Sequence, residues 1–71
     1  MARKKRVIPM AAVERLMKKA GAERISPGAV KALVEILEST AKDIASRAVR
    51  YSRYAKRNTI KREDIELAAS E

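Results

Sequence analysis

Seventeen Lys and Arg stand against nine Asp and Glu in a chain of 71 residues, giving net charge +8 and a pI near 10.3. That balance favours a polyanionic partner, either nucleic acid or an anionic membrane surface. There is no Cys and no His, which excludes disulfides and most transition-metal sites and leaves oligomerisation as the remedy for a domain too small to be secure alone.

Residues 1–8 read as a basic arm, expected to be disordered, and residues 9–71 as one folded domain. Arg3, Lys4, Lys5 and Arg6 crowd the arm, and Val7-Ile8-Pro9 stops it without the apolar run and cleavage signal of an exported protein. No stretch approaches the length of a membrane span. The sequence thus reads as a soluble, unexported protein, and the lack of Cys fits a reducing interior.

Pro9 suits the first position of a helix, where its missing N–H costs nothing. Val13, Leu16, Met17 and Ala20 follow at helical spacing, Glu14 and Lys18 form an i,i+4 pair, and Gly21 ends the helix as a left-handed cap. Ser26-Pro27 is a second start signal, a hydroxyl cap followed by Pro. From there Val30, Val34, Leu37, Ala41, Ile44, Ala48, Tyr51 and Ala55 alternate steps of four and three. This predicts one helix from Ser26 to Tyr54, about 43 Å long. Leu33, Ile36 and Val49 add a second apolar flank, while Glu38–Lys42 and Asp43–Arg47 are further i,i+4 pairs. Asn58 breaks the pattern, and Thr59-Ile60 is β-branched but too short for a strand within its own chain. A last short helix starts near Lys61 or Arg62, with Glu63, Asp64 and Glu66 at its positive end and Ile65, Ala68 and Ala69 on its apolar side.

The two short helices together span about 29 Å against the 43 Å of the long seam. An apolar stripe left bare in this way implies association, and a second copy of the chain is the simplest partner. Leu33, Leu37, Ala41, Ile44 and Ala48 are expected in that interface, with Leu37, Ala41 and Ile44 at the crossing. A monomeric three-helix bundle would need the long helix to kink, and its middle has no Pro or Gly.

Short helix, long helix and short helix with basic connections resemble the histone fold. Ala20-Gly21-Ala22-Glu23-Arg24-Ile25-Ser26 resembles the stretch joining the first two helices of archaeal histones. Asp43-Ile44-Ala45-Ser46 and the run from Arg57-Asn58-Thr59-Ile60 through Lys61-Arg62-Glu63-Asp64-Ile65-Glu66-Leu67-Ala68 resemble the same family. The resemblance covers about residues 9–69. It implies an all-α histone fold as an intertwined head-to-tail homodimer, with Thr59-Ile60 bridging to Arg24-Ile25 of the second copy. It also implies duplex DNA as the partner, bent over three contact points per dimer. Histones place Arg in inward-facing minor grooves about every 10 bp, with backbone amides on the flanking phosphates.

By resemblance, Arg24 is the groove-inserting residue of the paired loops, with Thr59 beside it and Ser26, the cap of the adjoining helix, as a further DNA-binding residue. Arg15 is the groove-facing residue of the central site, followed by Lys18 and Lys19 as phosphate contacts. Lys19 stands where relatives can carry an acid. Arg57 is expected to clamp its loop to Asp64 and to be structural before it is electrostatic. Lys56, Lys61 and Arg62 are then the phosphate candidates of that loop. Residues 44–62 hold no acid, too one-sided for an ordinary surface, although Arg47, Arg50 and Arg53 drift by about 60° per step and cannot all face one phosphate row. The arm has three readings: it tracks a groove, is an import-like address, or merely solubilises. The first is favoured, since charge near wrapped DNA gains from each phosphate.

Dimers of the family can stack through the end of the long helix and the third helix. The matching positions are Tyr51, Tyr54, Asp64 and Leu67. Relatives commonly carry His where this chain has Tyr54, and a phenol gives Asp64 one hydrogen bond without charge. The ending at Ser70-Glu71 lacks the basic tail of some relatives, and the basic arm is not general among them. Gly21, beyond its cap, would permit close stacking of wrapped dimers.

The expected function is DNA wrapping with little sequence preference, by a chromosome-associated cytoplasmic protein whose second copy could also be a histone paralogue. The main alternative is a histone-fold partner within a transcription-related complex, which would use the seam but not the basic arc. A helix-turn-helix repressor has shorter, nearly equal helices. A membrane-surface peptide would show Trp or Phe, and the chain has neither. With no Gly-rich phosphate loop and no convergent carboxylates, neither an enzyme nor a cofactor or metal is expected.

Overall fold

A computed structural model of the chain describes residues 7–71, and the arm residues Arg3, Lys4, Lys5 and Arg6 lie outside that range. Among the described residues there are three α-helices and no strand: α1 (Met10–Lys19), α2 (Pro27–Tyr54) and α3 (Arg62–Ala69). The chain divides into two compact units, one ending at Glu38 and the other beginning at Ser39. α2 supplies a segment to each.

In the first unit α1 packs on the opening turns of α2. Val13, Val30 and Val34 are buried at its centre, with Ile8, Met10, Met17, Ile25, Leu33 and Leu37 packed around them. Met10, Val13 and Met17 share one face of α1, as their spacing of three and four requires. Leu16 falls on the flank of that stripe and is 58% exposed. Pro9 is the N-cap rather than the first helical residue. Its backbone is extended, with ψ 134°, and its carbonyl accepts the first helical bond from Val13 at 3.3 Å. The chain before it is held by Glu38, whose Oε2 accepts the N–H groups of Val7 at 2.8 Å and Ile8 at 3.1 Å. Ile8, given to the arm on sequence grounds, is half-buried against this core.

Both ends of the first connection follow from local chemistry. Gly21 has φ +111°; its N–H donates to the Lys18 carbonyl at 3.0 Å and the Ala22 N–H to the Met17 carbonyl at 3.1 Å. Those two bonds define the Schellman ending, which needs a left-handed residue just past the helix. Ser26 Oγ accepts the Ala29 N–H at 3.1 Å, and Pro27 takes the first helical position.

In the second unit the later turns of α2 meet α3. Ala48 and Ala68 are wholly buried, and small residues let two helix backbones approach closely. Ser52 is buried too, its hydroxyl bonded to the Val49 carbonyl at 2.8 Å. Arg47 does not serve Asp43, as the i,i+4 spacing suggested. Its NH1 donates to the Ala68 carbonyl at 2.8 Å, and its Nε lies 3.8 Å from Glu71. The Ala68 carbonyl lies in the last turn of α3, accepts only a long 3.5 Å bond from the Glu71 N–H, and so keeps acceptor capacity for the guanidinium at the negative end of the helix dipole.

The buried apolar residues among those described are three valines in one unit and two alanines in the other. Of the seam assigned to the dimer, Leu33, Leu37 and Ile44 are half-buried and Ala41 is exposed. Ala48 is wholly buried within its own chain, in the packing of the second unit. Ile36 remains 60% exposed.

Candidate nucleic-acid interface

Among the described residues of the first unit the basic side chains are all exposed. Arg15, Lys18 and Lys19 are exposed on α1, with the two lysines in its last turn. There they also favour the negative end of the helix dipole. Arg24 and Ser26 follow on the connection between α1 and α2, and both are exposed. Ser26 has its oxygen committed to the α2 cap, while Arg24 has no ion pair with any described residue.

In the second unit the connection between α2 and α3 is tied to one carboxylate. Arg57 NH1 and NH2 donate to Asp64 Oδ2 at 3.0 Å and Oδ1 at 3.1 Å, a bidentate pair. The same NH1 donates to the Thr59 carbonyl at 2.9 Å. Asp64 Oδ2 also accepts the Lys61 N–H at 2.8 Å, the backbone half of a capping box at the start of α3. Asp64 is buried and Arg57 half-buried. The hydrogen bond from Arg57, then that from the Lys61 backbone, hold the Asp64 carboxyl below the usual carboxylate range, and Asp64 in turn raises Arg57. Arg57 is thus spent on the loop itself.

The remaining cations of this loop are available. Lys56 and Lys61 are exposed and form no ion pair with a described residue. Arg62 pairs with Glu66 at 2.8 Å, but both side chains are largely exposed, and such an i,i+4 pair contributes only about 0.3–0.5 kcal/mol. A phosphate could displace Glu66 at little cost. Thr59 and Ile60 are exposed and have no ladder partner among the described residues.

At the end of α2, Tyr54 is 78% exposed and Leu67 on α3 is 52% exposed, while Tyr51 is half-buried. Arg47, Arg50, Tyr51, Tyr54 and Glu71 line an open cavity of about 190 Å³. Asp64, the fourth residue assigned to stacking, has spare acceptor capacity mainly at Oδ1, since Oδ2 already accepts two bonds. No group of acids among the described residues could hold a metal ion, and no helix is long and apolar enough to cross a membrane.

Sequence reasoning missed two features that shape these loops. One is Glu38, read as a partner of Lys42 but receiving two backbone N–H groups from the chain before α1. Contacts thirty residues apart leave no local pattern. The other is Lys56, with φ +60° just past α2. Here a trace was present, because the helical pattern ends where no Gly is available to end it.

Comparison with known proteins extends over nearly all of this frame. Residues 6–69 match the family described as histone-like transcription factor (CBF/NF-Y) and archaeal histone. The chain is 48% identical over 61 residues to one of the subunits of the archaeal histone HAN1 of Thermococcus zilligii, spanning 86% of this chain and 91% of that one. It is 44% identical over 61 residues to probable archaeal histone 3 of Methanocaldococcus jannaschii, with the same coverage.

Proposed function

The chain belongs to the family of archaeal histones and histone-like transcription factors, and on that footing we propose that it binds and wraps double-stranded DNA with little sequence preference. The observation that carries this reading is the split among its loop cations. Arg57 is locked to Asp64, and Arg24, Lys56 and Lys61 are left exposed and unpaired among the described residues. A rigid loop presenting unpaired charge suits repeated phosphate contact, which fixes position without reading bases.

The acting unit is a head-to-tail homodimer, or a dimer with a paralogue. Within it Thr59-Ile60 of one copy bridges Arg24-Ile25 of the other, and Arg24 enters the minor groove with Thr59 beside it. Arg15 enters at the centre, Lys18, Lys19, Lys61 and Arg62 hold flanking phosphates, and the basic arm adds charge along the duplex. Dimers stack through Tyr51, Tyr54, Leu67 and Asp64 of neighbouring copies. The role is structural rather than catalytic, on the chromosome in the cytoplasm.

Nuclease digestion of complexes reconstituted on long DNA tests the proposal. Three groove contacts per dimer at about 10 bp each give protected steps near 30 bp. An unprotected smear at low salt would overturn wrapping. Replacing Arg24 with Ala should weaken binding to all sequences alike; a loss confined to one sequence would point to base readout instead. A protein that dimerises yet binds no DNA would favour the reading as a partner within a transcription-related complex.

A further inference from the structure

The chain ends two helices with the same backbone device and different residues. After α1, the left-handed position is Gly21. After α2 it is Lys56, with φ +60°. The bonds correspond: the Lys56 N–H donates to the Arg53 carbonyl at 2.9 Å and the Arg57 N–H to the Ser52 carbonyl at 2.9 Å, matching the Gly21 and Ala22 bonds of the first ending. A side chain with a Cβ is unfavourable in this conformation, and Lys has no short polar group to offset it as Asn does.

Nothing in the packing of the second unit uses the Lys56 side chain. It is exposed and has no hydrogen bond or ion pair among the described residues. Its successor Arg57 is fixed by three hydrogen bonds to Asp64 and the Thr59 carbonyl. The turn would form more easily with Gly, so a strained residue with no contact inside the fold implies a use outside it.

We propose that Lys56 is a duplex-phosphate contact retained at the expense of fold stability, with the Arg57–Asp64 clamp holding its backbone in the strained conformation. This rests on the DNA-binding reading above. Its chemistry is that of a point cation on a phosphate oxygen, so it carries no base preference.

Three variants of the full chain separate strain from charge: Lys56→Gly, Lys56→Gln and Lys56→Arg. Gly removes both strain and charge, Gln removes charge and keeps a Cβ, and Arg keeps both. Thermal melting should place Gly a few degrees above Gln, with Arg near the parent. In binding to random-sequence duplex across a salt series, Gly and Gln should each lower the log–log slope by about 0.9, one phosphate contact, while Arg retains the parent slope. Equal melting of Gly and Gln would overturn the strain. Parent-like slopes for Gly and Gln would overturn the contact. A parent protein with no salt-dependent duplex binding would instead overturn the DNA-binding reading itself.

Discussion

Asp64 is the residue on which the second loop depends. Its carboxylate accepts two bonds from Arg57 and one from the Lys61 backbone. These interactions require the charged form, so its folded pKa lies below the ordinary value, chiefly because of the Arg57 hydrogen bond. A depressed folded pKa stabilises the fold fully above the unfolded carboxylate pKa of about 3.9, and that contribution is lost as pH falls from there through the folded value. Asp64→Asn should therefore melt below the parent at pH 7, and the gap should narrow towards pH 2. Melts at both pH values check it; a gap of constant size would show that the carboxylate charge is irrelevant. Arg57, raised by the same pair, stays charged throughout this range.

At the scale of elements, each helix end carries its own chemistry, and the ends differ in how readable they are. Ser26-Pro27 and Gly21 announced themselves, because cap, Pro and left-handed Gly act through neighbours in sequence. The start of α3 was readable through its acids, since Asp64 reaches back three residues. Lys56 left only an indirect trace, a helical pattern that ends with no Gly to end it, and Arg47 was misassigned because its acceptor lies 21 residues away at Ala68. The candidate site follows the same division: exposed cations are legible from charge and family resemblance, whereas which of them is locked depends on folded geometry. Two substitutions probe the elements themselves. Ser26→Ala should cost about 1 kcal/mol by removing the α2 cap. Val34→Ala should cost about 2–3 kcal/mol, since it deletes two methyl groups from a wholly buried site. Denaturant titration measures both, and a larger loss for Ser26→Ala than for Val34→Ala would contradict the assigned core.

For the whole molecule the decisive feature is how little one chain buries. The wholly or nearly buried apolar side chains among the described residues are valines and alanines, while Leu16, Ile36, Tyr54, Ile65 and Leu67 stay substantially exposed. A monomer of this kind lacks the interior that ordinary domains rely on. Exposed and half-buried apolar residues run along α2 through Leu33, Ile36, Leu37, Ala41 and Ile44, which is the surface a second copy would cover. Folding coupled to dimerisation makes the apparent melting temperature depend on protein concentration, because mass action favours the associated state. Circular dichroism melts over a hundredfold range of concentration should shift steadily upward. Ala41→Glu should lower the melting temperature at every concentration: Ala41 is exposed in the single chain, so Glu there disturbs nothing within one copy and is intolerable only when a second helix crosses at that point. In an isolated helix the same change would cost about 0.5 kcal/mol or less, so any larger loss measures the crossing. A concentration-independent melt together with a neutral Ala41→Glu would establish a monomer and remove the basis for wrapping by dimers.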